Sequence, residues 1–147
     1  MRYLPDPDNP HSLSHDYVMT IYEDHVGRLW IGTGNGLHLF DRDQERFRQY
    51  RTDDGLPHNL VVGILEDQEG HLWLSTFHGL SKFDPEQETF RNYDVSDGLQ
   101  SKEFTSNTCY QSKTGELFFG GINGFNAFYP EQIRDNPTIP PDRKSVV

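Results

Sequence analysis

The chain has 147 residues, of which 33% are hydrophobic and 13% aromatic, and its formal net charge is -10. This acidity argues against a nucleic-acid partner, because affinity for a phosphate backbone comes from clustered lysine and arginine. The single cysteine, Cys109, excludes an internal disulfide and a cysteine-based metal site. No run approaches the roughly 18 apolar residues of a membrane-spanning helix.

The chain begins with a short apolar stretch and a turn cluster. Tyr3 and Leu4 are predicted to be the last strand of a preceding unit. The prolines of the following Pro-Asp-Pro-Asp-Asn-Pro stretch lack an amide hydrogen, so they prevent ladder pairing. We therefore assign residues 1–16 to the last strand of a preceding structural unit, followed by a loop.

Residues 17–52 have the pattern of four short strands. Segments of alternating or β-branched residues are separated by turns rich in glycine, asparagine and aspartate, which tolerate a positive φ or cap backbone amides. Gly34-Asn35-Gly36 predicts a tight reversal. The predicted strands cover residues 17–23, 29–33, 37–41 and 46–51.

The same pattern recurs 43 residues later and, in a more divergent form, after a further 45 residues. The Gly-x-Leu-Trp motif ending at Trp30 returns with Trp73, and Gly-x-Leu-Phe ending at Phe118 takes its place in the third copy. Four antiparallel strands per repeat of this length, each with a glycine–aromatic motif, are typical of a β-propeller blade.

We therefore predict an all-β fold, a partial β-propeller of about three four-stranded antiparallel blades that form an open arc. The blades are assigned to residues 17–52, 53–94 and 95–130. The repeated aromatic residues should lie where blades pack face to face, because large rings dominate a core with few apolar residues. The predicted structural core comprises Trp30, Trp73, Phe118, Phe40, Phe83 and Phe128.

The third copy is followed by a change in composition. Pro130-Glu131-Gln132-Ile133 predicts a helical turn that starts with proline, and residues 131–141 form a proline-rich linker to a further domain. Residues 142–147 continue neither the repeat nor an apolar strand. We expect them to be a non-native tail.

In a propeller, the loops before the first strands and between the second and third strands share one end of the disc, the channel mouth. Aromatic and hydrogen-bonding side chains there would suit a polar ligand with a ring face, such as a sugar. Asparagine also has a purely structural interpretation, because it permits tight turns, whereas neither turn geometry nor core packing requires a histidine. The candidate ligand-binding residues are His15, Asn35, His58, Asn59, Phe77, His78 and Asn123.

The sequence predicts no catalytic residue, metal site or cofactor. The seven histidines lack a short ligand spacing such as His-x-x-x-His. The pairs Glu23-Asp24 and Glu66-Asp67 fall in turns at the opposite end of the disc, where aspartate caps backbone amides. No Ser-His-Asp arrangement or phosphate-binding loop is present, so we expect binding rather than catalysis.

The repeats resemble the two-component regulator propeller family, whose units carry Gly-x-Leu-Trp-Ile-Gly-Thr, a Gly-Leu and a closing Phe-Asp. Trp30-Ile31-Gly32-Thr33 matches fully, and Trp73-Leu74-Ser75-Thr76 departs conservatively. The passage after Phe128 resembles the exit into the Tyr-rich β-sandwich domain of that family. The resemblance covers residues 1–141, although the third copy lacks the tryptophan and the closing aspartate.

The resemblance implies a fragment of the extracytoplasmic ligand-sensing propeller of a bacterial receptor of the histidine kinase or hybrid two-component type. Its implied partners are a polar small molecule or oligosaccharide, the remaining blades and the β-sandwich domain of the same protein, and a second copy in a homodimer. The implied location is the periplasmic side of an inner-membrane protein, with any kinase or cyclase activity in a downstream domain. Two alternatives remain open: a propeller lyase resembling streptogramin lyase, and a protein-interaction propeller.

Overall fold

The computed structural model describes residues 2–13, 17–93, 103–121 and 124–133 and consists almost entirely of β-strands, which confirms the predicted all-β class. The strands are β1 (Val18–Glu23), β2 (Leu29–Thr33), β3 (Gly36–Asp41), β4 (Arg46–Tyr50), β5 (Val61–Glu66), β6 (Leu72–Thr76), β7 (Gly79–Asp84), β8 (Thr89–Tyr93), β9 (Phe104–Gln111), β10 (Leu117–Gly121) and β11 (Gly124–Phe128). Short 3₁₀ turns occupy Thr52–Asp54 and Pro130–Gln132. No helix within these ranges is long and apolar enough to cross a membrane.

Each repeat folds into its own antiparallel sheet, as expected of successive blades. The strand orders are β1-β2-β3-β4, β5-β6-β7-β8 and β9-β10-β11. The first strands β1, β5 and β9 contact one another, so the three sheets are arranged around their first strands. The third sheet has three strands in the described part of the chain, where four were predicted, because β11 is followed by the Pro130–Gln132 turn.

Adjacent sheets pack through one aromatic contact that is repeated at both interfaces. Trp30 on β2 is 1% exposed and meets Phe83 on β7 edge-to-face, with ring centroids 5.6 Å apart. Trp73 on β6 is fully buried and meets Phe128 on β11 in the same way at 4.9 Å. Edge-to-face pairs add to the free energy of burial, so the second-strand tryptophan of one blade anchors the third strand of the next.

Two predicted core aromatics are less buried than expected. Phe40 is half-buried and packs on Tyr3 and Phe47, with ring centroids 4.9 and 4.7 Å away. Phe118 occupies the tryptophan position of the third sheet but is also only half-buried. No strand among the described residues covers that face of Phe118, so its core role stays a prediction.

The N-terminal segment does not form the strand predicted around Tyr3 and Leu4. Its prolines remove amide donors, and the described residues 2–13 make a single isolated bridge, between Pro5 and Leu13. The segment instead covers the outer edge of the first sheet, where the Phe47 amide donates to the His11 carbonyl at 2.6 Å. Covering an edge strand in this way protects it from pairing with another chain.

Candidate functional site

The loops at the predicted channel mouth are joined to one another by backbone hydrogen bonds. The Asn59 carbonyl, just before β5, accepts a bond from the Gly36 amide of the first sheet at 2.5 Å. The neighbouring Leu60 carbonyl accepts a bond from the Phe77 amide of its own sheet at 3.2 Å. The loop that enters β5 therefore holds the β2–β3 and β6–β7 turns at one end of the disc.

Three of the predicted ligand-binding residues lie on the surface at this end, and we call His58, Phe77 and His78 the mouth cluster. The rings of His58 and Phe77 are neighbours, with centroids 6.3 Å apart. Both histidines are exposed, and Phe77 is 41% exposed. His58 Nδ1 accepts a hydrogen bond from the Leu60 amide at 3.0 Å. This bond assigns the proton of the neutral ring to Nε2, which remains a donor.

The two predicted asparagines that the structure describes, Asn35 and Asn59, take part in hydrogen-bonded turns and loops. Asn59 Oδ1 accepts a bond from the Thr52 amide at 3.0 Å, so this side chain holds its own loop. The Asn35 amide donates to Thr33 Oγ1 at 3.0 Å, and the His78 amide makes the equivalent bond to Thr76 Oγ1 at 3.0 Å. These threonine-based turns position residues 35 and 78 identically in two blades. The other two candidates, His15 and Asn123, lie outside the described residues.

At the opposite end, two aspartates make contacts that sequence reasoning foresaw only in part. Asp24 Oδ1 caps the amides of Val26 and Arg28, at 3.2 and 2.8 Å, as predicted for a turn former. Its Oδ2 also accepts a bond from the buried Trp30 indole at 2.9 Å, which was not foreseen. Burial alone would raise the pKa of Asp24, but bonds from Trp30 and Arg28 lower it below its ordinary value.

The second blade repeats this pairing, and the third has lost both of its members. Asp67 Oδ2 accepts a bond from the Trp73 indole at 2.9 Å. In the third copy Ser112 and Phe118 occupy the two positions, so the indole donor and its carboxylate acceptor have disappeared together. The six-residue spacing from aspartate to tryptophan, repeated in two copies, was the sequence signal for this bond.

Glu66 links the blades at the same end of the disc. It is 8% exposed, and its Oε1 accepts a bond from the His25 amide at 2.9 Å while its Oε2 contacts His25 Nδ1. Gln111 of the third sheet donates from Nε2 to the Glu66 carbonyl at 2.9 Å. Residues of all three blades therefore meet at Glu66, and its role is a structural connection as well as the turn predicted from sequence.

Within the ranges that the structure describes, no group of three or more histidine, cysteine, aspartate or glutamate side chains could hold a metal ion. The lone thiol, Cys109, is partly buried, and burial raises its pKa. A raised pKa disfavours the reactive thiolate. Cys109 therefore has the environment of a packing residue.

Residues 12–35 and 55–78 match the two component regulator propeller family. The extracellular domain of BT3049 from B. thetaiotaomicron, described as a hybrid two component system, is 30% identical with a TM-score of 0.74, over 78% of this chain and 16% of that one. The corresponding domain of BT4673 from the same organism is 26% identical with a TM-score of 0.73, over 86% of this chain and 19% of that one.

Virginiamycin B lyase from Staphylococcus aureus is 12% identical with a TM-score of 0.53, over 76% of this chain and 41% of that one, and shares the fold alone. No curated protein matches the chain. The chain spans less than a fifth of the two extracellular domains. It therefore carries two-component regulator propeller repeats and is homologous to extracellular domains of hybrid two-component systems.

Proposed function

We propose that this chain is part of the extracellular ligand-sensing propeller of a signal-transduction receptor, and that its mouth cluster contacts the ligand. The observation that carries the proposal is the 30% identity, over 78% of the chain, with the extracellular domain of a hybrid two component system. On this proposal the chain recognises a ligand and catalyses no reaction. Kinase or cyclase activity belongs to other domains of the same receptor.

The chemistry of the mouth cluster favours a polar small molecule, in particular a carbohydrate. The exposed ring of Phe77 offers an apolar face, and the neighbouring His58 offers an Nε2 donor. A sugar ring combines an apolar face with hydroxyl groups, so it can stack on the phenyl ring while its hydroxyls bond to the histidines. His78 lies next to Phe77 in the chain and supplies a second imidazole at this surface.

The proposed receptor has further parts that complete the site and transmit the signal. We place the chain on the periplasmic side of an inner-membrane protein, beside further blades and a β-sandwich domain, with two receptor chains forming a homodimer. The ligand at the mouth contacts loops that are hydrogen-bonded to one another within the second blade and between the first and second blades. Occupancy therefore changes the packing of the blades, and through it the geometry of the dimer.

Alanine substitutions in the receptor that contains this chain test the proposal. His58→Ala, Phe77→Ala and His78→Ala should each raise the oligosaccharide concentration for half-maximal response about tenfold, the effect of losing roughly 1.4 kcal/mol of binding free energy. The melting temperature should change little, because all three side chains are exposed.

A matched control is Val26→Ala, a side chain that is 60% exposed at the opposite end of the disc. It should leave the response unchanged. An unaltered response in all three mouth variants, with normal expression, would place ligand binding elsewhere on the receptor.

A further inference from the structure

A separate cavity of about 440 Å³ lies between the N-terminal segment and the end of β4. Pro5, Pro7 and Pro10 line one side of it, and Gln49 and Arg51 line the other. The cavity shares no residue with the mouth cluster. Its volume falls within the range of pockets that hold small ligands.

The walls of this cavity are joined by a chain of side-chain hydrogen bonds. Ser12 Oγ accepts a bond from the Asp6 amide at 2.9 Å, which shapes the proline-rich loop. The Ser12 carbonyl accepts a bond from Gln49 Nε2 at 2.7 Å, and Gln49 Oε1 in turn accepts a bond from Arg51 Nη2 at 2.9 Å. The loop and the Arg51 guanidinium are therefore held in place by the same amide side chain.

Arg51 contributes the positive charge of the cavity lining. Its Nε is buried and has no hydrogen-bond partner, and none of the ion pairs found among the described residues includes Arg51. The carboxylate of Asp54 accepts a bond from the Arg51 backbone amide, at 2.9 Å. Arg51 as a whole is partly buried, and a partly buried guanidinium without a carboxylate partner gains charge-assisted hydrogen bonds from an anion bound beside it.

The other charged residue of the lining is Asp6. Asp6 Oδ1 accepts a bond from the Asp8 amide at 3.0 Å, so this carboxylate takes part in the turn of its own loop. Asp6 disfavours a multiply charged anion in the cavity and is compatible with a single carboxylate. The proline rings opposite Arg51 offer apolar surface to the remainder of such a molecule.

We propose that this cavity binds a small carboxylate-bearing molecule, with the Arg51 guanidinium as the carboxylate-recognition group. The planar guanidinium matches a carboxylate in a two-pronged contact, and its terminal nitrogens Nη1 and Nη2 supply the two bonds, since Gln49 uses one hydrogen of Nη2. Gln49 acts as a positioning residue, because it fixes Nη2 and leaves the remaining donors for the ligand. The site goes beyond the proposed mouth site, in both location and ligand chemistry.

Glucuronate and glucose form a matched pair of probes, because they share a ring and differ in the carboxylate. Titration calorimetry or NMR of the whole chain should show at least tenfold tighter binding of glucuronate than of glucose. Arg51→Gln should abolish this preference, and Arg51→Lys should weaken it, because lysine keeps the charge without the planar fork. Gln49→Leu should reduce glucuronate affinity while Arg51 remains present.

Arg46→Gln is the control, since Arg46 is an exposed arginine at the other end of β4 and outside the cavity. It should leave both affinities unchanged. Circular dichroism and the melting temperature would verify that each variant folds. Equal binding of the two probes, no glucuronate binding at millimolar concentration, or an unchanged preference in a folded Arg51→Gln protein would each overturn the proposal.

Discussion

Asp67 and Trp73 form a buried pair in which each partner depends on the other. The Trp73 indole is the donor to Asp67 Oδ2, at 2.9 Å, and Asp67 Oδ1 separately caps the turn. Trp73→Phe removes the donor and should lower the free energy of unfolding by about 2–3 kcal/mol, because a buried carboxylate oxygen loses its partner. Urea denaturation would measure this difference.

The third blade suggests the compensating change. Ser112 stands at the aspartate position there, and its Oγ accepts a bond from the Glu116 amide at 3.1 Å, so it still caps the turn. Asp67→Ser combined with Trp73→Phe should therefore cost less than the sum of the single losses, with a coupling of about 1 kcal/mol. Strict additivity would show that the indole bond contributes little to stability.

His38 is buried on β3, and its neutral ring accounts for a predicted pH dependence. Burial lowers its pKa from 6.5 to about 4, and Nδ1 lies 3.3 Å from the Ile31 carbonyl. The unfolded chain therefore binds a proton at higher pH than the folded chain. The stabilising contribution is complete above pH 6.5 and is lost as the pH falls towards 4, by roughly 3 kcal/mol at most.

Chemical denaturation between pH 4 and pH 7 tests this sign. His38→Asn places at this position the residue that the third blade carries as Asn126. Its unfolding free energy should vary less over this interval than that of the wild type. An identical pH profile for the two proteins would contradict the assignment to His38.

Single residues were predicted well from sequence where the repeat constrained them and poorly elsewhere. Trp30 and Trp73 lie in two copies of one motif, and both are buried. Phe118 follows the same spacing, yet burial also depends on what covers the sheet, which an internal motif does not specify. Arg51 carried no sequence signal, because its place in the cavity depends on the packing of a distant segment against the end of β4.

Each blade places a glycine against a larger residue between its first two strands. In the first sheet the glycine is on the second strand, where Gly32 on β2 faces Thr20 on β1. In the second sheet it is on the first strand, where Gly63 on β5 faces Ser75 on β6. A Cβ added to Gly63 would lie 2.5 Å from Ser75 Oγ and 3.2 Å from Cys109 Sγ. Each of these cross-strand pairs therefore has room for the side chain of only one of its two residues.

Gly63→Ala should therefore destabilise the chain by about 1–3 kcal/mol through overpacking. Ser75→Gly in the same chain should recover part of this loss, because it removes the nearest atom. Thermal denaturation of the two single variants and the double variant measures the coupling. A double variant with the summed loss would indicate that Cys109 is the limiting contact.

Strand positions were largely predictable because period-two alternation and turn residues directly reflect backbone conformation. The predicted second strand of the first blade, 29–33, agrees with β2. The N-terminal segment differs from the strand predicted there, because its prolines favour a loop that covers the sheet edge over a hydrogen-bonded β-ladder. The same loop forms one wall of the Arg51 cavity, so that site was beyond prediction from local pattern.

The third sheet presents an apolar surface, the open face, formed by Tyr110, Phe118 and Phe125. Tyr110 and Phe125 are 64% and 66% exposed and flank the Phe118 ring, with centroids 6.2 and 6.1 Å from it. Phe118 stands where Trp30 and Trp73 contact the next blade. The open face therefore has the chemistry of a blade interface.

We expect the 147-residue chain to self-associate through this surface, because exposed apolar patches drive association. Sedimentation velocity at several concentrations should show a rising average mass. Tyr110→Ser with Phe125→Ser should shift the distribution towards monomer. A monodisperse wild-type monomer at all concentrations would contradict the assignment of the open face as an unoccupied interface.

We propose that the mouth end of this propeller contributes to ligand sensing. Hydrogen–deuterium exchange on the complete extracellular domain, with and without an activating oligosaccharide, tests it most directly. We expect slower exchange at residues 56–60 and 77–79 when the ligand is bound, and little change at residues 24–28 and 67–71. Protection confined to the latter turns, with none at the mouth, would contradict the claim.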